Sequence, residues 1–483
     1  MVTFVWAPSI RWGGGWGGRM FAPWRRRRSR VLCGVVKIGP NEPRDARDMI
    51  CEAACPLEGA AAIDAVLNTV GEASIVLLGE ATHGTHEFYD WRARITRALI
   101  EHRGFDAVAI EGDWPDAYRV NGFVQGRGED RDADEALRGF QRFPTWMWRN
   151  TAVAEFVAWL RERNRGIEEV ARTGFYGLDL YSLHASMRAV IAYLEQHSPQ
   201  AAAQARASYA CFEEFGHDTE TYAWATSRVG ETTCEEAVTR QLMELRRRRA
   251  ELLARDGAAA GEAFFEAEQN ARLAQNAEKY YRTMFKGRAA SWNVRDEHMA
   301  ETLEELMTHL RTRGREGKVV VWAHNSHLGD ARATEMGQLG ELNLGQLVRE
   351  RHGPEVKSIG FTTYTGTVMA ASDWGERPQR KRVRAALGDS YEELFHDVGI
   401  PAFFLPIAVG SDVAELLSKP RLERAIGVIY RPETERWSHY FRATLAAQFD
   451  AVIHIDETRA VEPLEGAGAW DEEEVAETFP SGV

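Results

Sequence analysis

Eight short segments of the chain are near-continuous runs of aliphatic and aromatic residues: 74–79, 107–111, 174–180, 318–323, 356–363, 402–407, 425–430 and 451–455. A strand buried on one face alternates apolar with polar residues; a strand covered on both faces does not. Each run is therefore expected to be a buried strand. Between many of them apolar positions recur at helical spacing, as in 87–102, 153–165, 183–197 and 293–313. Buried strands alternating with helices predict an α/β fold, with a central, largely parallel sheet covered by helices.

Residues 199–285 break this rhythm. They hold no strand-like run and are rich in Ala, Glu, Arg, Leu and Gln, with "CEEAVTRQLMELRRRRAELLA" at their centre. This stretch is expected to be a helical insertion, a hairpin of long helices. Its arginine run, 246–249, reads as a solvated helix face, the usual place for a block of like charge. No internal repeat is visible. The chain thus divides into a basic N-terminal tail (1–48), a first part of the core (49–198), the insertion (199–285), a second part of the core (286–462) and an acidic C-terminal tail (463–483).

Composition narrows the function. The chain has 483 residues, 44% hydrophobic and 27% charged, and a net charge of −13. No apolar run reaches the length of a membrane span, and the acidic balance speaks against nucleic acid as a partner. The first 48 residues carry ten Lys and Arg against three acidic residues, a charge of +7, which leaves about −20 for the rest. That segment holds "WGGGWGG" and "WRRRRSR" and is expected to be disordered, or a misassigned start with Met49 as the alternative. Its G-x-G-x-x-G match at Gly13, Gly15 and Gly18 has no strand before it and no helix after it, so no nucleotide site is expected there. The five cysteines (Cys33, Cys51, Cys55, Cys211 and Cys234) are few, odd in number and scattered. They make no disulfide framework, so a reducing cytoplasm is expected, and Cys51 and Cys55, which lack the second pair that a structural zinc site would need, are expected to be ordinary thiols. Nothing in the sequence fixes an oligomeric state.

The candidate chemistry lies at the strand ends, where α/β sheets bind ligands. The stretch 76–88, "VLLGEATHGTHEF", runs from a buried strand straight into Glu80 and His83. The second strand ends in Glu111 and Asp113, the third in Asp179 and Tyr181, and the fourth in His324, Asn325 and His327 within "VVVWAHNSHLGD". If these strands are neighbours, imidazoles and carboxylates converge in one cleft. Holding such groups there for structure alone would cost several kcal/mol of desolvation per unpaired charge. There is no G-x-S-x-G elbow, no P-loop and no H-E-x-x-H, and Ser326 alone does not make a nucleophile. An imidazole steadied by a carboxylate can take a proton from water. The same set could instead hold a divalent metal. Either route implies hydrolysis or a close relative.

Four stretches in order, "LLGEATHGTHEFYDWRARITRALI", "GFDAVAIEGDWPDA", "VVWAHNSHLGD" and "YRPETERWSHYFRATLAAQFDAVIHID", resemble the erythromycin esterase family, over roughly residues 63–456. The resemblance implies an α/β core with a helical insertion and a cleft in which water opens a macrolide lactone, an inactivation of the antibiotic. It places the family's functional residues on Glu80, His83, Arg92, Glu111, His324 and His327. The roles expected are His83 as general base set up by Glu80 or Glu111, and His324 and His327 polarising the carbonyl or protonating the leaving alkoxide. Arg92 would steady the carboxylates or the oxyanion, or form a purely structural ion pair. His86 and Glu87 open the following helix and are expected to be structural.

Specificity is expected from the insertion and from the loop 141–149, "QRFPTWMWR", whose Phe143, Trp146 and Trp148 would either wall an apolar substrate pocket or cap the core. The reading that leads is a metal-independent ester hydrolase without a cofactor, acting on a small-molecule ester or lactone. Two alternatives stay open. One is a metal-dependent hydrolase of another substrate; the other is a non-catalytic protein that holds a metal or haem on the same scaffold.

Overall fold

The strands run β1 (Cys55–Pro56), β2 (Ile75–Leu78), β3 (Ala107–Asp113), β4 (Gly174–Asp179), β5 (Val319–Trp322), β6 (Val356–Ala370), β7 (Gln379–Val383), β8 (Ala402–Pro406), β9 (Arg421–Arg424), β10 (Tyr440–Ala443) and β11 (Ala451–Thr458). The computed structural model describes residues 45–215, 219–227 and 233–465, without the side chains of 251–260 and 288. Nine strands form one sheet in the order β1-β8-β11-β6-β2-β5-β3-β4, with β7 paired to the far end of β6. The six from β11 to β4 are mutually parallel; β8 is antiparallel to β11, β1 to β8 and β7 to β6. β9 and β10 make a separate antiparallel ribbon. The sheet is mixed but mostly parallel and is flanked by helices, as the runs predicted.

Near-continuous apolar strands are explained by the packing on both faces. Val76, Leu78, Val108, Ile110, Val320 and Trp322 enter one core, which lies under the helices Gly59–Val70, His86–Arg103 and Thr151–Asn164. The residues between them, Ile75, Leu77, Ala107, Ala109, Val319 and Val321, enter the other. That second core is closed by the helices Leu183–His197, Glu235–Arg247, Arg249–Thr283 and Arg288–Thr312. Between β4 and β5 no strand occurs among the described residues, and those of 199–285 are mostly helical, as their polar, helix-forming composition favours.

Three expectations need correction. Residues 425–430 do not form a strand: Ile426 bridges Thr82 and Ile429 bridges Ala371, so the segment has two different partners and builds no ladder. The strands β7, β9 and β10 have no apolar run to announce them: β7 is mostly exposed, and β9 buries the charged Glu423 and Arg424. The cysteines are not all free. Cys211, in the 3-10 turn Ala210–Phe215, and Cys234, which caps the helix Glu235–Arg247, form a disulfide across a separation of 23 residues that spans the helix Thr219–Thr226. Cys51 is also disulfide-bonded, and Cys55 is free. Cysteine usage therefore carries no argument for a reducing compartment. The two tails, with the Gly-rich stretch, lie outside the described residues except at their inner edges. There the helix Ala46–Ala53 crosses the expected boundary at 48 and buries Ile50. No helix among the described residues is long and apolar enough to cross a membrane.

Candidate active site

β2, β5, β3 and β4 are adjacent and parallel, so their carboxyl ends open on one rim. Glu80 and His83 follow β2, Glu111 lies in β3, Asp179 ends β4, and His324 and His327 follow β5. The chain after β2 is drawn in tightly. A Cβ on Gly79 would overlap the Asn325 side chain, and one on Gly84 would overlap the Met369 backbone in the extension of β6. The amide of His83 donates to the Ile426 carbonyl (3.3 Å), and its own carbonyl accepts from the Tyr89 hydroxyl (2.7 Å). The segment first expected as a strand thus braces the His83 loop, and its Gly427 and Val428 line the cleft.

Glu80 joins two partners. One carboxylate oxygen meets His83 Nδ1 at 3.0 Å, and the other accepts from Arg92 Nη2 at 2.7 Å. Glu80 and Arg92 are both fully buried. The guanidinium lies over the rings of Tyr89 (4.3 Å) and Trp322 (5.2 Å), a cation–π setting. Arg92 therefore sits behind Glu80 and does not reach the cleft. With Nδ1 tied to Glu80, the His83 Nε2 faces the cleft, 4.0 Å from Glu111 Oε1.

Glu111 is the second hub. Its Oε1 accepts from Arg295 Nη2 (2.7 Å) and lies 3.4 Å from His327 Nε2; its Oε2 accepts the His324 backbone N–H (2.8 Å). Burial alone would raise its carboxyl. His327, His83 and Arg295 outweigh that and hold it well below the usual range. Arg295 also grips Asp179 with Nε (3.0 Å) and Nη2 (2.7 Å). Burial opposes the charge on Arg295, but Asp179, Tyr181 and Glu111 keep it firmly protonated.

The two histidines after β5 are tuned apart. Burial, with His83 nearby, pushes His324 down to about 3. Its Nδ1 accepts the Ser326 N–H (3.2 Å), so in the neutral ring the proton stands on Nε2. For His327 burial again opposes the charge, but Asp296 and Glu111 lift it to about 9. Its Nδ1 meets both Asp296 oxygens (2.9 and 3.0 Å), and Trp292 stacks on the ring at 4.5 Å. Asp296 Oδ1 accepts the Leu344 N–H (2.8 Å) as well.

The cleft has two lobes that share His83, Glu111, Trp292, Arg295 and Gly427. The first, about 140 Å³, is walled by Phe140, Phe143, Trp148, Tyr181 and Trp374, with Asp113 ion-paired to Arg142. The second, about 320 Å³, is lined by His324, His327, Met336, Leu342, Phe441 and others. Of the three aromatics expected to wall a pocket, Phe143 and Trp148 line the first lobe, and the Trp148 indole donates to the Glu111 carbonyl (3.1 Å). Trp146 does not line it. It is fully buried beneath Phe143, where the loop packs it into the core. Among the described residues no group of three or more His, Cys, Asp and Glu side chains is spaced to hold a metal ion.

All six expected polar residues thus meet in one network. The sequence reading missed Arg295, Asp296 and Trp292, all on the helix Arg288–Thr312. One signal was available. Asp296 falls in register with Met299, Ala300 and Leu303, the buried stripe of that helix, where a carboxylate needs a partner.

The model of the family described as erythromycin esterase matches residues 100–458. An Escherichia coli protein, erythromycin esterase type II, is 23% identical over 81% of this chain and 91% of its own length. A Bacillus subtilis protein, "Putative hydrolase YbfO", is 22% identical over 79% of this chain and 83% of its own. Among solved structures, a succinoglycan biosynthesis protein superposes with a TM-score of 0.68 at 22% identity, over 86% of this chain and 97% of that one. An erythromycin esterase mutant in its open conformation gives 0.60 at 18% identity, over 83% and 95%. The chain belongs to the erythromycin esterase family and shares its hydrolase fold.

Proposed function

We propose that this protein hydrolyses a carboxylic ester with a water activated by His83, and that a macrolide lactone is the first substrate to test. The observation that carries this reading is the buried series Arg92–Glu80–His83, which fixes the ring through Nδ1 and leaves Nε2 facing the cleft. In the reading, Nε2 takes a proton from water, and the hydroxide attacks the ester carbonyl. Glu80 holds the tautomer and offsets the charge that develops on the ring. The neutral His324 and Arg295 face the same space as oxyanion donors. The His83 imidazolium then returns its proton to the leaving alkoxide. His327, fixed by Asp296 and Trp292, orders Glu111 from behind. Membership of the family and the name of the Escherichia coli relative support the choice of a macrolide.

The test is mass spectrometry of an erythromycin-type macrolide after incubation with the purified protein. Gain of one water, absent with His83→Asn, is the expected result. A gain that persists in His83→Asn overturns the role of His83. No gain with the macrolide, or with a panel of simple esters, overturns the hydrolase mechanism.

A further inference from the structure

Among the described residues seven large apolar side chains are exposed, and two of them, Leu339 (77%) and Trp437 (86%), line the second lobe of the cleft. They come from separate parts of the chain and are held out by different devices. Leu339 precedes Gly340, whose φ of 93° turns the backbone where a side chain would strain it. That turn is pinned to the helix that carries Arg295 and Asp296. Asn293 Nδ2 donates to the Gly340 carbonyl (3.0 Å), Asn293 Oδ1 accepts the Leu342 N–H (2.9 Å), and the Trp292 indole donates to the Leu342 carbonyl (2.8 Å). Trp437 stands on the short helix Glu435–Ser438. Its neighbour Glu435 anchors that helix inside, through the Tyr430 hydroxyl (2.9 Å) and Arg424 Nε (3.2 Å).

An exposed Leu and an exposed Trp are each ordinary alone. Two of them on rigid supports, at the mouth of one cavity whose floor holds His324 and His327, are not scattered. Met336, Leu342 and Phe441 continue the apolar surface inward from them. The geometry points to a substrate-binding lip, Leu339 and Trp437, that receives the apolar chain of the ester while its scissile bond lies at His83. This rests on the hydrolase reading and adds the substrate class: esters with an extended aliphatic part, selected at the second lobe. The loop 141–149, by contrast, supplies the first lobe.

Two ester series test it on the full-length protein: p-nitrophenyl esters from acetate to decanoate, and alkyl acetates from methyl to octyl. In one series kcat/KM should rise by up to about fourfold for each methylene that the lip covers. The double variant Leu339→Ala/Trp437→Ala should keep the rate on the shortest ester and lose the rise. A rise that is the same in the variant, or no rise in either series, overturns the lip. If the protein turns over no ester, calorimetric titration with 1-octanol decides separately. Binding to the wild type that the variant loses supports the lip; absent or equal binding overturns it. A concentration-dependent dimer abolished by the double substitution also overturns it, because the lip is then a contact between copies.

Discussion

The pair Glu80–Arg92 makes the sharpest energetic prediction. Its charged atoms are 2.7 Å apart and both residues are fully buried. Charge centres about 4 Å apart attract by about 4 kcal/mol at an effective dielectric near 20. The desolvation of both ions offsets much of this, so the pair itself adds little net stability. Removal of one partner is different, because the other ion stays buried and uncompensated, at about 3–5 kcal/mol. Arg92→Met keeps the stem that packs on Tyr89 and Trp322; Glu80→Gln keeps the shape of the carboxylate. Each single variant should therefore lose about 3–5 kcal/mol, and the double variant should cost less than the sum by about 3 kcal/mol. His83→Asn, which leaves Glu80 paired with Arg92, should lose only about 1 kcal/mol. Equilibrium urea unfolding, followed by far-UV circular dichroism and by tryptophan fluorescence, measures all four. Costs that add to within about 0.5 kcal/mol would refute a coupled buried ion pair. A mild effect of Arg92→Met alone would refute the claim that Glu80 depends on it.

His327 supplies a pH dependence. Its folded value, about 9, lies above the usual 6.5, so its contribution to stability is whole below about pH 6.5 and is lost as pH rises through 9. His327→Gln should flatten that alkaline fall in urea-unfolding stability, and an unchanged alkaline limb would count against the charged ring between Asp296 and Glu111. In the loop 141–149, Trp146→Ala should cost about 3–5 kcal/mol of stability, whereas Phe143→Ala should act mainly on KM. The reverse pattern in unfolding and kinetic assays would contradict the placement of these two rings.

The parallel core was legible because strands covered on both faces must be apolar, and the four strands that end at 78, 113, 179 and 322 show their charged residues at or just beyond their carboxyl ends. Strands such as β7 and β9 were not legible, since β7 is mostly exposed and β9 buries the charged Glu423 and Arg424 where an apolar pattern would be expected. The segment 425–430 misled for the opposite reason. Ile426, Val428 and Tyr430 are buried as strand residues would be, but against the His83 loop and β6 rather than in a ladder. The disulfide between Cys211 and Cys234 depends on how the insertion folds back, which a count of cysteines does not encode.

The missing members of the site explain why its visible members can coexist. Read from the strand ends alone, Glu80, Glu111 and Asp179 crowd one rim with only Arg92 as a counter-charge, an arrangement that burial forbids. The helix Arg288–Thr312 resolves it by adding Arg295 between Glu111 and Asp179, and Asp296 beneath His327. With His327 protonated, three positive groups face four carboxylates, and the buried His324 stays neutral. Counted as Arg92, Arg295 and His327 against Glu80, Glu111, Asp179 and Asp296, the network carries one unbalanced negative charge beside the His83 ring. In the mechanism proposed above, that charge would offset the proton that His83 takes from water, so the step completes the balance instead of disturbing it.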